Sequence, residues 1–356
     1  MKKRVLMISC NGLGNGGVQH VMMHIARNLS EEYIFDMLIF PDNRIYFDEE
    51  AEKYGTIFRI PLKKTRIDYY IRFFRILSGT YKILKREKYD VIHCNNNYES
   101  GICILAAYLA GVKVRLVHSH VILNIKEENP IRKIITGTYK FLLNHLSTHR
   151  IACSKASGDS IYTKDFEVLV NPIDLTRFDI SKRRPKGKEK INFIHIGRFC
   201  DLKNQLFIVD TISKIKESFP ETHLTLIGWG DEYLKCIIEA IKKYGMEDMV
   251  TFLPSDTDVL NALKTSDYMI FPSLHEGLGI ALLEAQAMGV YCFASTGVPT
   301  EANAGLCDFL NLEDGHKVWA EHIINRIKKG QSPHRADRID DYSLETYINK
   351  IKNIYG

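Results

Sequence analysis

The stretch Ser266–Gly289, SDYMIFPSLHEGLGIALLEAQAMG, limits the fold more than any other part of the chain. Tyr268 to Phe271 is a short apolar run, of strand rather than helix length, ended by Pro272-Ser273. Gly277 and Gly279 permit a tight turn, and Ile280 to Met288 is rich in strong helix formers. Strand, glycine turn and helix form the repeating unit of a parallel sheet, whose ligand-binding loops lie at the carboxyl ends of its strands. Two acids mark this unit, Glu276 in the turn and Glu284 inside the helix. At about 1.5 Å per residue, Glu284 lies roughly 7 Å along the axis from Gly279. A ligand lying across the helix start, with phosphates on the free N–H groups of the first turn, would reach both acids. Taken alone, the same spacing suits a dipole partner at 276 and a solvent-facing acid at 284.

The unit recurs on either side. In the first half, strands are expected at Arg4–Cys10, Phe35–Phe40, Lys53–Ile60, Asp90–Cys94, Val112–Val117, Arg150–Cys153 and Glu167–Asn171. Helices are expected at Val18–Leu29, Ile67–Glu87, Ile134–Leu146 and Lys155–Tyr162. Gly12, Gly14 and Gly17 fit G-x-G-x-x-G between a strand and a helix, and Asp42 follows the second strand. That pattern matches a dinucleotide fingerprint, so an NAD-dependent oxidoreductase is one alternative. Glycines that serve only the turn and helix packing are another. The strand from 112 runs into His118-Ser119-His120, and the strand from 90 into Asn95-Asn96-Asn97, both at ends where parallel sheets bind ligands.

Residues 179–190, DISKRRPKGKEK, are polar and aperiodic and read as a linker. They separate a first domain, 1–178, from a second, 191–335, and a helical tail at 336–356 follows. The second half opens with Ile191–Ile196 running into Gly197-Arg198, with Lys203 at the start of a helix. Later strands are expected at His223–Gly228, Val250–Leu253 and Tyr291–Ser295. Asp256 and Asp258 sit at a metal-like spacing, but Asp258 directly precedes a helix and reads as an N-cap. The tail places Leu344, Tyr347, Ile348, Ile351 and Ile354 on one face that needs cover.

A chain of 356 residues suits two cores better than one. Its 45% hydrophobic and 26% charged residues exclude disorder and a membrane bundle. No apolar run approaches the roughly 18 residues a membrane span needs. The eight cysteines are scattered without C-x-x-C, as expected of reduced thiols in a cytoplasmic protein. Basic residues 59, 63, 64, 66, 72, 75, 82, 85, 86 and 88 face only Asp68 and Glu87, with aromatics interleaved. Such a helix can lie on an anionic membrane surface, or pack on a core and keep a solvated basic face. No nucleic-acid module accompanies the charge.

HEGLGIALLEAQAMG preceded by FPS resembles the donor-site signature of the family 4 retaining glycosyltransferases. The resemblance runs over most of the chain and is most specific between Ile191 and Gly305. It implies the α/β GT-B fold: two Rossmann-like parallel-sheet domains facing across a cleft, with the C-terminal helix crossing back to the first. It also implies transfer of a sugar from a nucleotide diphosphate, taken as UDP, to a hydroxyl, with retention. Arg198 and Lys203 would balance the leaving diphosphate, where fixed cations stabilise developing charge, so no metal and no cofactor are expected. Glu276 would hold the sugar hydroxyls, Glu284 the ribose, and His120 the sugar from the opposite wall. Catalytic roles thus fall to Glu276, His120, Arg198 and Lys203. Gly16, Gly17, Gly228, Leu253, Gly277, Leu278, Gly279 and Ile280 would complete the donor site, and His118 and Asn95 the acceptor side. Expected partners are the nucleotide sugar and a saccharide or undecaprenyl-type lipid-linked acceptor of bacterial exopolysaccharide or capsule assembly. A peripheral place at the inner face of the cell membrane follows. A nucleotide-sugar epimerase and a non-catalytic sugar-nucleotide-binding subunit are further alternatives.

Overall fold

The computed structural model describes residues 2–62, 66–95, 98–122, 130–184, 190–330 and 333–356, except the side chains of 66–70, 131 and 132. Lys63, Lys64, Asn96, Asn97 and linker residues 185–189 lie outside the described residues, as do the side chains of Arg66, Asp68, Tyr69 and Tyr70. The chain forms two compact units, 1–171 with 344–356, and 172–343.

In the first unit the strands are β1 (Lys3–Ser9), β2 (Tyr33–Ile39), β3 (Ile57–Arg59), β4 (Val91–Cys94), β5 (Val114–Ser119), β6 (His149–Ala152) and β7 (Glu167–Val168). They pair in parallel in the order β3-β2-β1-β4-β5-β6-β7. The second unit holds β8 (Ile191–Ile196), β9 (Thr222–Gly228), β10 (Val250–Pro254), β11 (Tyr268–Phe271), β12 (Tyr291–Ser295) and β13 (Cys307–Leu310). These are also parallel, in the order β10-β9-β8-β11-β12-β13. Helices cover both faces of a sheet of this kind, so its strands are apolar throughout. Val5 to Ile8 and Met269 to Ile270 are accordingly fully buried. Each sheet reverses direction once, between β1 and β4 and between β8 and β11. Loops leaving the carboxyl ends at such a switch point diverge and leave room for a ligand.

Several elements differ from the sequence expectation for local reasons. The third strand begins at Ile57, not Lys53, because a helical turn at Asp48–Ala51 runs directly into residues 52–54. β5 starts at Val114 and continues through Ser119, which puts His118 inside the strand. A helix at Ser100–Ala110 takes the chain up to Gly111, whose φ of 83° stops it, and Val112 N–H closes on Ala107 O at 3.0 Å. That helix escapes periodicity analysis because Ile102, Cys103, Ile104, Ala106 and Ala107 are buried almost all round it.

The C-terminal helix, Leu344–Tyr355, belongs to the first unit. Tyr355 Oη lies 2.7 Å from His93 Nδ1, its ring is 5.5 Å from that of Tyr33, and Lys352 pairs with Glu32. The division between units falls ahead of the expected limit at 178. Ile173 pairs with Ser343 and donates its N–H to Tyr342 O at 3.0 Å, so the chain from Pro172 onward already packs in the second unit.

Candidate active site

In the second unit, backbone bonds join the loops after the adjacent strands. Gly197 N–H donates to Ile227 O at 2.9 Å and Phe199 N–H to Trp229 O at 2.7 Å, which extends β8–β9 pairing past the strand ends. Leu274 N–H donates to Leu202 O at 2.8 Å, and Glu276 N–H to Gly297 O at 3.2 Å. Glycine is required at two of these crossings: a Cβ at Gly228 would lie 2.1 Å from Gly197 O, and one at Gly297 2.1 Å from Leu274 O.

A buried pair that the sequence did not reveal supports the first of these loops. His195 Nδ1 lies 3.0 Å from Ile270 O, and Gln205 Nε2 lies 3.2 Å from His195 Nε2 and 2.9 Å from Arg198 O. Burial pulls the His195 imidazole down to about 4, so the ring is neutral. Its Nδ1–H then donates to Ile270 and its Nε2 lone pair accepts from Gln205. Both Gln205 hydrogens are used, and the backbone that carries Arg198 is held in place. The Arg198 side chain itself is exposed.

Lys203 closes a single 3₁₀ turn, Asp201–Lys203, which ends at Asn204 in the left-handed region, φ 56°. From there its ammonium forms an ion pair with Glu276 Oε1 and sits 5.3 Å above the Phe271 ring. These two expected site residues therefore meet, although they are far apart in the chain. The pair is mostly withdrawn from water, with side chains 19% and 11% exposed.

Gly279, φ 93°, opens the helix Ile280–Ala287, whose start no side chain caps. Leu282 N–H donates back to Gly279 O at 2.9 Å, and no side chain caps the other N–H groups of this first turn, the kind of helix start that binds anions. Leu278 is buried, while Gly277, Ile280 and Leu253 are half-buried. Glu284 lies on this helix, half-buried, and no described residue hydrogen-bonds its carboxyl. Burial pushes that carboxyl up to about 7, against the opposing pull of Arg177. Gln286, buried two residues on, accepts from Ala304 and Leu306 N–H and donates to Ala302 O, fixing the loop before β13. Nothing in the local sequence marks it. Asp258 accepts from Leu260 N–H at 3.2 Å as a helix cap and pairs with Arg177 at 2.8 Å. Among the described residues no group of three or more His, Cys, Asp or Glu could hold a metal ion.

In the first unit, Gly16 starts the helix Gly17–Leu29, and Gly17 is exposed. Gln19 reaches back to Gly12 O at 3.1 Å, which holds the glycine loop from within. A Cβ at Gly16 would meet Gln19 Oε1 at 2.6 Å. His118 is fully buried, its ring stacked 5.7 Å from that of His93 and its Nδ1 3.5 Å from Tyr347 Oη. His120, at the strand exit, reaches Asn95 Oδ1 through Nε2 at 3.3 Å and Asn171 Oδ1 through Nδ1 at 3.1 Å. Burial pulls the His120 ring down to about 3. The neutral ring has a single N–H, so it can donate to only one of the two amides at a time. Of the two histidines of the His-Ser-His exit, His120 is the more exposed, at 7% against 0%.

Two family models divide the chain between them. Residues 15–177 match Glycosyltransferase Family 4, and residues 176–337 match Glycosyl transferases group 1. A capsular polysaccharide biosynthesis glycosyltransferase of Staphylococcus aureus, CapH, is 27% identical, over 96% of each chain. An Escherichia coli enzyme, UDP-Gal:alpha-D-GlcNAc-diphosphoundecaprenol alpha-1,3-galactosyltransferase, is 26% identical, over 80% of each chain. The crystal structure of Anabaena HepE in complex with UDP and glucose superposes with a TM-score of 0.77 at 16% identity, covering 99% of this chain and 98% of that one.

Proposed function

The chain belongs to the family 4 glycosyltransferases with the GT-B fold, and on that premise we propose that it moves a sugar from a UDP-sugar to a lipid-linked saccharide in bacterial exopolysaccharide or capsule assembly. In the reaction the bond between the sugar C1 and the β-phosphate oxygen breaks and the acceptor oxygen bonds to C1, with retention. The acceptor proton leaves on the departing diphosphate. The observation that carries this reading is the meeting of Lys203 with Glu276 at the β8–β11 switch point, beside an uncapped helix start. A cation and exposed N–H groups suit a diphosphate, and the two acids suit hydroxyls.

In this reading Arg198, Lys203 and the 280–287 helix start balance the charge of the leaving diphosphate, the work a divalent metal performs in other transferases. Glu276 orients the sugar and Glu284 the ribose. In the first unit Asn95 serves the acceptor, His120 the donor sugar and the Gly16-Gly17 loop the donor, whereas His118, fully buried within its strand, is left with a packing role. The capsule role in the name of CapH and the diphosphoundecaprenol acceptor in that of the E. coli galactosyltransferase support the choice of acceptor, and the HepE complex supports UDP. The oxidoreductase alternative is not favoured: the Family 4 match takes in Gly16 and Gly17, and oxidation of an alcohol would leave Arg198, Lys203, Glu276 and Glu284 without a shared purpose.

A peripheral membrane site is part of the proposal. The helix Arg66–Glu87 exposes Ile71, Phe74 and Tyr81 together with Arg75, Lys82 and Lys85, and residues 71–86 contain no acid. The helix Pro130–Leu146 adds exposed Ile134 and Phe141. Apolar side chains among cations, without acids, suit an anionic bilayer surface. No helix of the described residues is long and apolar enough to cross a membrane.

Calorimetry with UDP, GDP and ADP tests the donor: UDP alone should bind with micromolar affinity, and preference for another base overturns the UDP assignment. NMR of the product anomer tests retention, and full activity in excess EDTA tests metal independence. Flotation with liposomes tests the membrane site, and equal recovery on neutral and anionic vesicles removes it.

A further inference from the structure

Lys203 and Glu276 are more than two separate ligand groups, because in the folded chain each is already the other's partner. The lysine stem is fixed on both sides. Its ammonium lies over Phe271, and its Cδ would be 3.5 Å from a Cβ placed at Gly197. Glu276 is fixed too, by its own N–H to Gly297 O. Breaking a half-buried pair by taking away one partner leaves an uncompensated charge away from water, which is strongly unfavourable.

That restricts which ligands the site accepts, given the donor reading above, on which this inference rests. A nucleoside diphosphate can replace Glu276 as the partner of Lys203. It brings no donor for the carboxylate it displaces and sets a like charge beside it. An intact nucleotide sugar brings hydroxyls as well, which can donate to Glu276 as its diphosphate takes Lys203. We propose that the Lys203–Glu276 pair is a specificity element that penalises the bare nucleoside diphosphate relative to the nucleotide sugar. Glu276 thereby favours release of the diphosphate product once the sugar has left, in addition to orienting the sugar.

Calorimetry on the full chain at constant ionic strength reads this directly, with UDP and UDP-glucose as probes. Glu276→Gln removes the competing charge and keeps the shape. The expected result is UDP binding about tenfold tighter than in the parent chain, the scale of coupling between close charges, while UDP-glucose gains nothing or weakens. Lys203→Met should weaken UDP binding more in the Glu276→Gln background than in the parent, since only there is Lys203 free to serve the phosphates. Should Glu276→Gln fail to give a cooperative melt, Glu276→Asn removes the same charge and takes its place. UDP binding unchanged or weaker in these variants overturns the inference while leaving the donor site intact. Failure of the parent chain to bind any of UDP, GDP and ADP overturns the donor reading and this inference with it.

Discussion

Replacing Glu284 by Gln tests the physical state of the donor unit most directly. Burial holds the Glu284 carboxyl at about 7 in the folded chain, against an ordinary value of 4.5. At about 1.4 kcal/mol per pH unit, that displacement is at most about 3 kcal/mol. The side chain is only half-buried, and water reaching it reduces the figure to about 1–2 kcal/mol. The sign follows from proton binding. Between pH 4.5 and 7 the native chain holds the proton more tightly than the unfolded chain does, so native stability falls as pH rises through that window. Glutamine at this position does not titrate. Urea unfolding at several pH values from 4.5 to 8 should therefore show the variant gaining about 1–2 kcal/mol on the parent as pH rises. The same group reports on the ligand, because hydroxyl donors favour the ionised carboxylate. UDP binding near pH 6.5 should release a fraction of a proton, measurable as a dependence of the calorimetric enthalpy on buffer ionisation. Parallel stability curves within about 0.5 kcal/mol would refute the reasoning, because they would mean that Glu284 is not desolvated.

Gly228→Ala should destabilise the second unit by about 1–3 kcal/mol, since its Cβ would press on Gly197 O; a chemical denaturation midpoint equal to that of the parent counts against the described crossing. Tyr355→Phe removes the partner of His93 Nδ1 from a site where His93 Nε2 has no hydrogen bond among the described residues. The first unit should lose about 1–3 kcal/mol, and hydrogen exchange should show the loss around β1 and β4. Replacing both Phe74 and Phe141 by Ser should abolish flotation with anionic liposomes while transfer to a short soluble acceptor analogue continues; retained flotation moves the membrane contact elsewhere.

Much of this protein follows from local sequence. Apolar runs the length of strands, each followed by glycine or polar turns and a helical pattern, dictate parallel sheets, because such runs are stable only when both faces are covered. β8, β11 and β12 begin and end where their residue patterns do. The glycine requirement is partly legible too: Gly279 must adopt a positive φ to start its helix, whereas the close crossings at Gly228 and Gly297 are made with backbone distant in sequence. Tertiary structure decided the rest. The Ser100–Ala110 helix is apolar all round and has no period to read. The Lys203–Glu276 ion pair, the bond of His195 to Ile270 O beneath Arg198 and the Tyr355–His93 bond each join residues distant in sequence. The first two meet because the sheet order sets β8 beside β11, and the third because the C-terminal helix packs in the first unit. Local sequence sets which element forms. The charge state of a buried group depends on its neighbours from other elements, and the folded chain alone supplies those.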